Sequence, residues 1–394
     1  MTGPLTGLRV LEVGGIGPGP FTGMMLADLG ADVIRVDRPD GRGSADLAWH
    51  RVLLRGRRSI ALDLKDPRGQ DLLLDLVEGS DALVEGFRPG VMERLGLGPE
   101  QALARNPRLV YGRMTGWGQD GPWSRVAAHD INYIAVAGAL APIAAPDLTP
   151  TPPLNMLGDF GGGGMLLVCG LLAALLHARE TGRGQVVDAA IVDGAALLTG
   201  MLHSMRASGQ WSAPRGENAL DGGAPYYRVY RTADGAWLAL GAIEPQFYAQ
   251  LLDGLGLAKE LEGVGQDDQE QWPLLRRRFA ERIAERTRDE WTAVFAGTDS
   301  CVSEVVDPAA VLTHPQLAAR GTYLVADGLL QPAPAPRFSA TPAALPPPAP
   351  ELGTDTLGVL SELGVARERI RVLLDAGVLG APAVEDRPAG DDPR

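Results

Sequence analysis

Short apolar runs, broken at regular intervals, open the chain. LRVLEV (8–13) is a compact β-branched run that GGIGPGP (14–20) interrupts. FTGMMLADLG (21–30) repeats its apolar positions at helical spacing and closes on glycine, a common residue just past a helix end. ADVIRVDRP (31–39) is a second buried run. Strand, helix and strand in that order predict the start of a parallel, doubly wound sheet. DALVEGF (81–87) and RLVYGRMTG (108–116) predict further strands, and LKDPRGQDLLLDLVEG (64–79) a helix before them. VVDAAIVDGAALLTGMLHSM (186–205) reads as a strand running into a helix.

The pattern changes after residue 224. YYRVYRTADGAWLAL (226–240) holds two alternating runs around Ala-Asp-Gly, a hairpin signal. PQFYAQLLDGLGL (245–257), WPLLRRRFAERIAER (272–286) and TRDEWTAVFAG (287–297) have helical spacing, and Thr287 and Glu290 are three apart as in a capping box. RFSATPAALPPPAP (337–350) is a proline-rich connection before two short helices at 354–364 and 366–377. The expected class is α/β: a Rossmann-like parallel-sheet large domain over 1–200, a linker over 201–224 and a smaller α+β domain over 225–325. A C-terminal segment, 326–380, and a disordered tail, 381–394, follow.

One stretch fits no simple class: LNMLGDFGGGGMLLVCGLLAALLHA (154–178). Residues Gly161 to Ala178 carry no charge over 18 positions, the lower limit for a membrane span. The glycines, Cys169 and His177 dilute that run, so the expectation is a buried core helix with Cys169 as a buried thiol. Asp159, just before the glycines, stands at a helix start, where N–H groups favour negative charge. It serves as an N-cap or as an acid/base group, and the two roles are compatible.

Composition narrows the chemistry. The net charge of −13 argues against general nucleic-acid binding, so an anionic ligand must meet a local arginine cluster. Lys65 and Lys259 are the only lysines. Two cysteines cannot form a disulfide framework, and MTGPLTGLRVLEV is not a signal peptide; a cytoplasmic protein is expected. Gly17, Gly19 and Gly23, with Asp37 about twenty residues on, imitate a dinucleotide fingerprint. However, Pro18 and Pro20 remove N–H donors that a pyrophosphate needs. The loop is therefore expected to shape a different pocket, with Arg38 beside it as the ligand-facing candidate.

Of five histidines, His177 and His203 sit among apolar residues at helical spacing, and His50 and His314 lack partners in the local sequence. His129 lies in RVAAHDINYIAVAGAL (125–140), at a polar-to-apolar boundary beside Asp130 and Asn132; it is a loop cap or a catalyst. Glu244 in LGAIEPQFY (240–248) sits between a strand end and a proline that starts a helix; it is a cap, a solvated turn residue or a catalyst. No His/Cys/Asp grouping has metal-ligand spacing.

Taken in order, GLRVLEVGGIGPGP, DLGADVIRVDRP, EGFRPGVMERLGLGP, RLVYGRMTGWGQDGP, HDINYIAVAG, PLNMLGDFGGGG, GRGQVVDAAIVDG, LDGGAPYY and GAIEPQFY resemble the alpha-methylacyl-CoA racemases of the class III CoA-transferase superfamily. The resemblance spans roughly residues 3–340. It places the family's acid/base residues on His129, Asp159 and Glu244. It places CoA contacts on Arg38, on Leu62, Asp63, Leu64 and Lys65, on Arg94, and on Ala128, Asp130, Ile131, Asn132 and Tyr133. Arg55, Arg57, Arg58 and Arg88 are expected to extend that basic patch.

The implied activity is epimerisation of 2-methylacyl-CoA thioesters in lipid metabolism. His129 and Asp159 exchange the α-proton on opposite faces through an enolate, whose oxygen takes the N–H at or near Asp159, and the glycines leave the thioester room. Glu244 pairs with His129. CoA belongs to the substrate, and no separate cofactor, metal, membrane or nucleic acid is implied. The resemblance also implies an interlocked homodimer, with the C-terminal segment returning to the large domain. The superfamily's transferases carry the same aspartate as a nucleophile but usually lack the histidine, so His129 favours a racemase. Racemases usually read Gly-His-Asp where this chain reads Ala128-His129-Asp130.

Overall fold

The computed structural model describes residues 2–41, 48–144, 149–211 and 214–380. The expected tail at 381–394 lies outside the described residues. The chain forms two compact units. The first takes residues up to Ala137, Leu154–Leu198 and the described residues from Thr322 on, and the second takes Gly138–Pro153 and Thr199–Gly321. Residues 201–224, expected as a linker, fall within the second unit.

The first unit is built on strands β1 (Arg9–Val13), β2 (Asp32–Asp37), β3 (Arg57–Leu62), β4 (Ala82–Glu85), β5 (Val110–Thr115) and β6 (Gln185–Ala190). Their spatial order is β3-β2-β1-β4-β5-β6, and every neighbouring pair is parallel. This is the doubly wound order, with its switch point between β1 and β4. Between and after the strands lie α1 (Pro18–Asp28), α2 (Pro67–Glu78), α3 (Val91–Arg94), α4 (Pro99–Arg105), α5 (Asp130–Val136), α6 (Leu166–Thr181) and α7 (Ile191–Leu198). A π-helix, Met156–Met165, leads directly into α6. Its backbone bonds reach five residues, as in Phe160 N–H to the Asn155 carbonyl at 3.3 Å.

Period-two alternation divides the strand side chains between two faces. Leu11, Val13, Ile34, Val36, Ile60 and Leu62 pack on one side against Leu72, Leu73, Leu76 and Val77 of α2. Val10, Val33, Ala82, Val84 and Val110 face the other side, against Leu26 of α1 and Leu167, Leu171 and Leu175 of α6. Parallel strands need both faces covered, and these helices do so.

The second unit contains α8 (Gly200–Ala207), strands β7 (Tyr227–Arg231) and β8 (Trp237–Gly241), α9 (Pro245–Leu255), α10 (Trp272–Ile283), α11 (Arg288–Phe295), β9 (Val302–Glu304) and α12 (Pro315–Arg320). β7 and β8 form the expected hairpin, and β9 adds an antiparallel third strand. Thr287 and Glu290 form the capping box of α11. The chain then rejoins the first unit through the β10 (Tyr323–Ala326) and β11 (Leu329–Pro332) hairpin, α13 (Thr356–Glu362), α14 (Arg367–Asp375) and β12 (Leu379–Gly380). β12 pairs antiparallel with β3 at the sheet edge, and Val359, Leu360, Ile370 and Leu373 complete one face of the core.

Two expectations need correction. α6 is not fully buried: Leu167, Leu171, Ala174, Leu175 and Ala178 face the sheet, while Leu176 is 63% exposed and Cys169 is an exposed thiol. Together with the π-helix it makes a 26-residue helical run that contains an 18-residue window of mean hydropathy 1.8, long and apolar enough to cross a membrane by length and composition alone. The arginines near β3 are not a ligand-facing patch either. Arg57 bonds Glu12 deep in the core, Arg55 pairs with buried Asp28, and Arg58 pairs with Asp32 and Glu362. Their partners come from strands and helices remote in sequence, so no local pattern reveals the pairing.

Candidate active site

The carboxyl ends of the parallel strands collect nearly all the residues singled out in the first unit. Arg38 follows β2, Asp63 to Lys65 follow β3, Arg88 and Arg94 follow β4, and the segment Ala128–Tyr133 lies after β5. Open α/β sheets bind ligands along this edge, because every crossover loop opens there. Arg38 is exposed and pairs with Asp40 at 2.6 Å. Such surface pairs are weak, so an incoming phosphate competes readily for the guanidinium. Arg94 is exposed and makes no ion pair among the described residues. Asp63 Oδ1 accepts the Lys65 N–H at 2.9 Å, which shapes the turn after β3. Leu64 is half-buried against the core. Leu62 is fully buried, so its side chain serves the core and only its main chain reaches the edge.

His129 is the N-cap residue of α5. Its N–H donates to Asn132 Oδ1 at 3.1 Å, and its carbonyl accepts from the Asn132 and Tyr133 N–H groups. The Tyr133 hydroxyl donates to the Ala128 carbonyl at 2.7 Å, tying down the residue before the histidine. Ala128 does not have a left-handed backbone, so its methyl group is accommodated without strain. Ile131 is exposed at the first turn.

Asp159 lies in the first turn of the π-helix. The Phe160 ring stacks on Phe21 of α1, with centroids 4.7 Å apart, which pins this turn to the helix after β1. Burial, opposed by the Asn155 hydrogen bond, raises the Asp159 carboxyl above its ordinary value. Nearby Asp130 adds to the rise, and His129 is close enough to oppose it. A carboxyl held upward in this way retains a proton more readily, as an acid/base group requires. The proline-glycine loop after β1 now has a role: a Cβ on Gly17 would stand 3.3 Å from Asp159 Oδ2. That loop walls the carboxylate, while Asp37, the imitation ribose ligand, is ion-paired to Arg35.

Two readings of the glycine run and its neighbour change. Gly162 and Gly163 do not open room for a ligand; they let α7 approach, since a Cβ on Gly162 would meet the Ala195 nitrogen at 2.7 Å. The Asp159 N–H, expected to hold an enolate oxygen, instead donates to Asp130 Oδ2 at 2.6 Å. Asn155 was not singled out by sequence reasoning, yet its Nδ2 donates to Asp159 Oδ2 at 3.3 Å. Its spacing of four from the aspartate, one helical turn, is the signal that finds it.

Glu244 belongs to the second unit. It is the N-cap residue of α9, where its carbonyl accepts the Phe247 and Tyr248 N–H groups. Its exposed carboxylate makes no capping bond, which leaves it available to another group.

A family model described as CoA-transferase family III matches residues 5–356. The chain belongs to CoA-transferase family III. Within the family it is 47% identical over 371 residues to the alpha-methylacyl-CoA racemase of Mus musculus, covering 93% of this chain and 95% of that protein. It is 46% identical over the same length to the Homo sapiens racemase, with equal coverage. Among solved structures, a CAIB/BAIF family protein from Brucella suis superposes with a TM-score of 0.80 at 27% identity, over 92% of this chain and 100% of that one.

Proposed function

We propose that this family III chain is an alpha-methylacyl-CoA racemase that interconverts the R and S epimers of 2-methylacyl-CoA thioesters. The observation that carries the reading is a histidine and a raised carboxyl within electrostatic reach of each other, each at the start of a helix on the carboxyl edge of the sheet. A thioester carbonyl acidifies its α-proton, but exchange between two faces requires a proton acceptor on one and a donor on the other. From the S epimer, His129 removes the α-proton and Asp159 supplies a proton to the opposite face; from R the roles reverse. The planar intermediate is an enolate. With the Asp159 N–H already engaged, its oxygen falls to the Asp130 and Ile131 N–H groups that open α5, which have no helical carbonyl to bond.

The family resemblance adds Glu244 as the partner that orients His129, from its own or a second subunit. It also adds CoA contacts at Arg38, Asp63 to Lys65, Arg94 and the segment Ala128–Tyr133. The first unit exposes Leu176, Leu197, Leu198 and Met165, apolar surface that a second copy of the chain would cover in a homodimer. We place the enzyme in the cytoplasm, with no cofactor beyond the CoA of its substrate.

The test is proton NMR of a single 2-methylacyl-CoA epimer in D₂O. Deuterium at the α-carbon with appearance of the other epimer supports the reading, and both are lost in His129→Ala and Asp159→Asn. Transfer of CoA to an added carboxylic acid, without exchange, would instead make Asp159 a transferase nucleophile.

A further inference from the structure

Asp130 sits immediately after His129, as the first residue of α5, and is 6% exposed. Its side chain does not face solvent, so a CoA contact at this position would use the main chain. Oδ2 accepts the Asp159 N–H at 2.6 Å, and the same carboxylate takes the Gly158 N–H. The contact is tight enough to dictate the sequence at 158: a Cβ there would stand 2.4 Å from Asp130 Oδ2. Oδ1 is buried with no hydrogen-bond partner. A carboxylate buried at such cost, for two backbone bonds, is a poor device for stability alone. Its placement explains it, because one short side chain joins the residue after the base to the backbone of the acid, 29 positions along the chain.

We propose that Asp130 is a positioning residue of the acid/base pair, whose carboxylate clamps the Gly158–Asp159 backbone and so sets the separation of Asp159 from His129. The proposal rests on the racemase reading of those two residues. A second consequence follows from charge. The clamp puts one carboxylate beside another, and like charge favours the protonated form of Asp159. The other titratable groups facing Asp159 are His129 and Tyr133, with Arg88 beyond the tyrosine. The loop before α1 presents Gly17 to it, and α7 presents Gly194 and Ala195 to the π-helix, so neither adds a charge there.

Asp130→Asn keeps an oxygen for the two N–H groups and removes the charge, while Asp130→Ala removes both. With a 2-methylacyl-CoA substrate, Asp130→Ala is expected to lower kcat about a hundredfold at little change in KM, the size of effect that misplacement by about an ångström produces. Asp130→Asn should recover much of that loss and, with the R epimer, for which Asp159 is the base, shift the acidic limb of the kcat profile to lower pH. Unchanged kcat in Asp130→Ala, or kcat and KM lost together with no recovery in Asp130→Asn, overturns the clamp. A readout that needs no turnover separates this from failure of the racemase reading. The carboxyl carbon of Asp159, followed by ¹³C NMR and assigned with Asp159→Asn, should titrate at lower pH in Asp130→Asn than in wild type. An identical titration overturns the proposal even if the chain proves to be a transferase.

Discussion

Gly194→Ala is the most direct trial of how the acid/base carboxylate is held. Gly194 lies in α7 where it crosses the π-helix, and a Cβ built on it would stand 1.8 Å from the Gly162 carbonyl oxygen. That is roughly 1.5–2 Å inside ordinary van der Waals contact. The obstruction is backbone, not a flexible side-chain tip, so the two helices must part. Overpacking of this kind costs about 1–3 kcal/mol, and rigid backbone puts this site at the upper end. The π-helix carries Asp159 three residues before Gly162, so part of the displacement reaches the carboxylate, and kcat should fall about a hundredfold. The measurements are the urea midpoint at unchanged m and the rate of α-deuterium exchange. Gly358→Ala is the control: it occupies an exposed position of α13 with open space around its Cβ, and should be neutral or stabilise by up to about 1 kcal/mol. A Gly194→Ala protein within about 0.5 kcal/mol of wild type and fully active would refute the close-packing account.

Three further outcomes are expected. Burial raises Glu85 to about 7 from an ordinary 4.5, against the opposing Phe87 N–H and Arg113. Below 4.5 both folded and unfolded chains hold the proton; between 4.5 and 7 the folded chain alone does, so stability falls as pH rises, by roughly 3 kcal/mol in all. Glu85→Gln should therefore flatten the pH dependence of the urea midpoint between pH 5 and 8, and an unchanged slope would exclude Glu85 as its source. Arg94→Ala should raise KM for the acyl-CoA about tenfold, equivalent to about 1.4 kcal/mol, with kcat near wild type in steady-state assays. Tyr133→Phe loses the 2.7 Å bond to the Ala128 carbonyl and should cost about 1 kcal/mol in thermal unfolding with a several-fold fall in kcat.

Local pattern carried a good part of this protein. The apolar runs at 8–13, 31–39, 81–87 and 108–116 became parallel strands because a strand buried on both faces reads as continuous hydrophobicity. The hairpin at 226–240 and the Thr287 capping box were legible because turn and cap chemistry act within a few residues. The sequence also singled out His129, Asp159 and Glu244 as candidates. β3 escaped notice because it opens on Arg57 and Arg58, whose charges are met by Glu12 and Asp32 from β1 and β2. The exposed face of α6 was equally hidden, since an apolar run alone does not say which side meets the sheet. Tertiary structure alone decided that the glycines after Asp159 serve helix packing and that the Asp159 N–H belongs to Asp130. Both are contacts between segments tens of residues apart, and hydrogen-bond and van der Waals distances are set by the fold that brings such segments together.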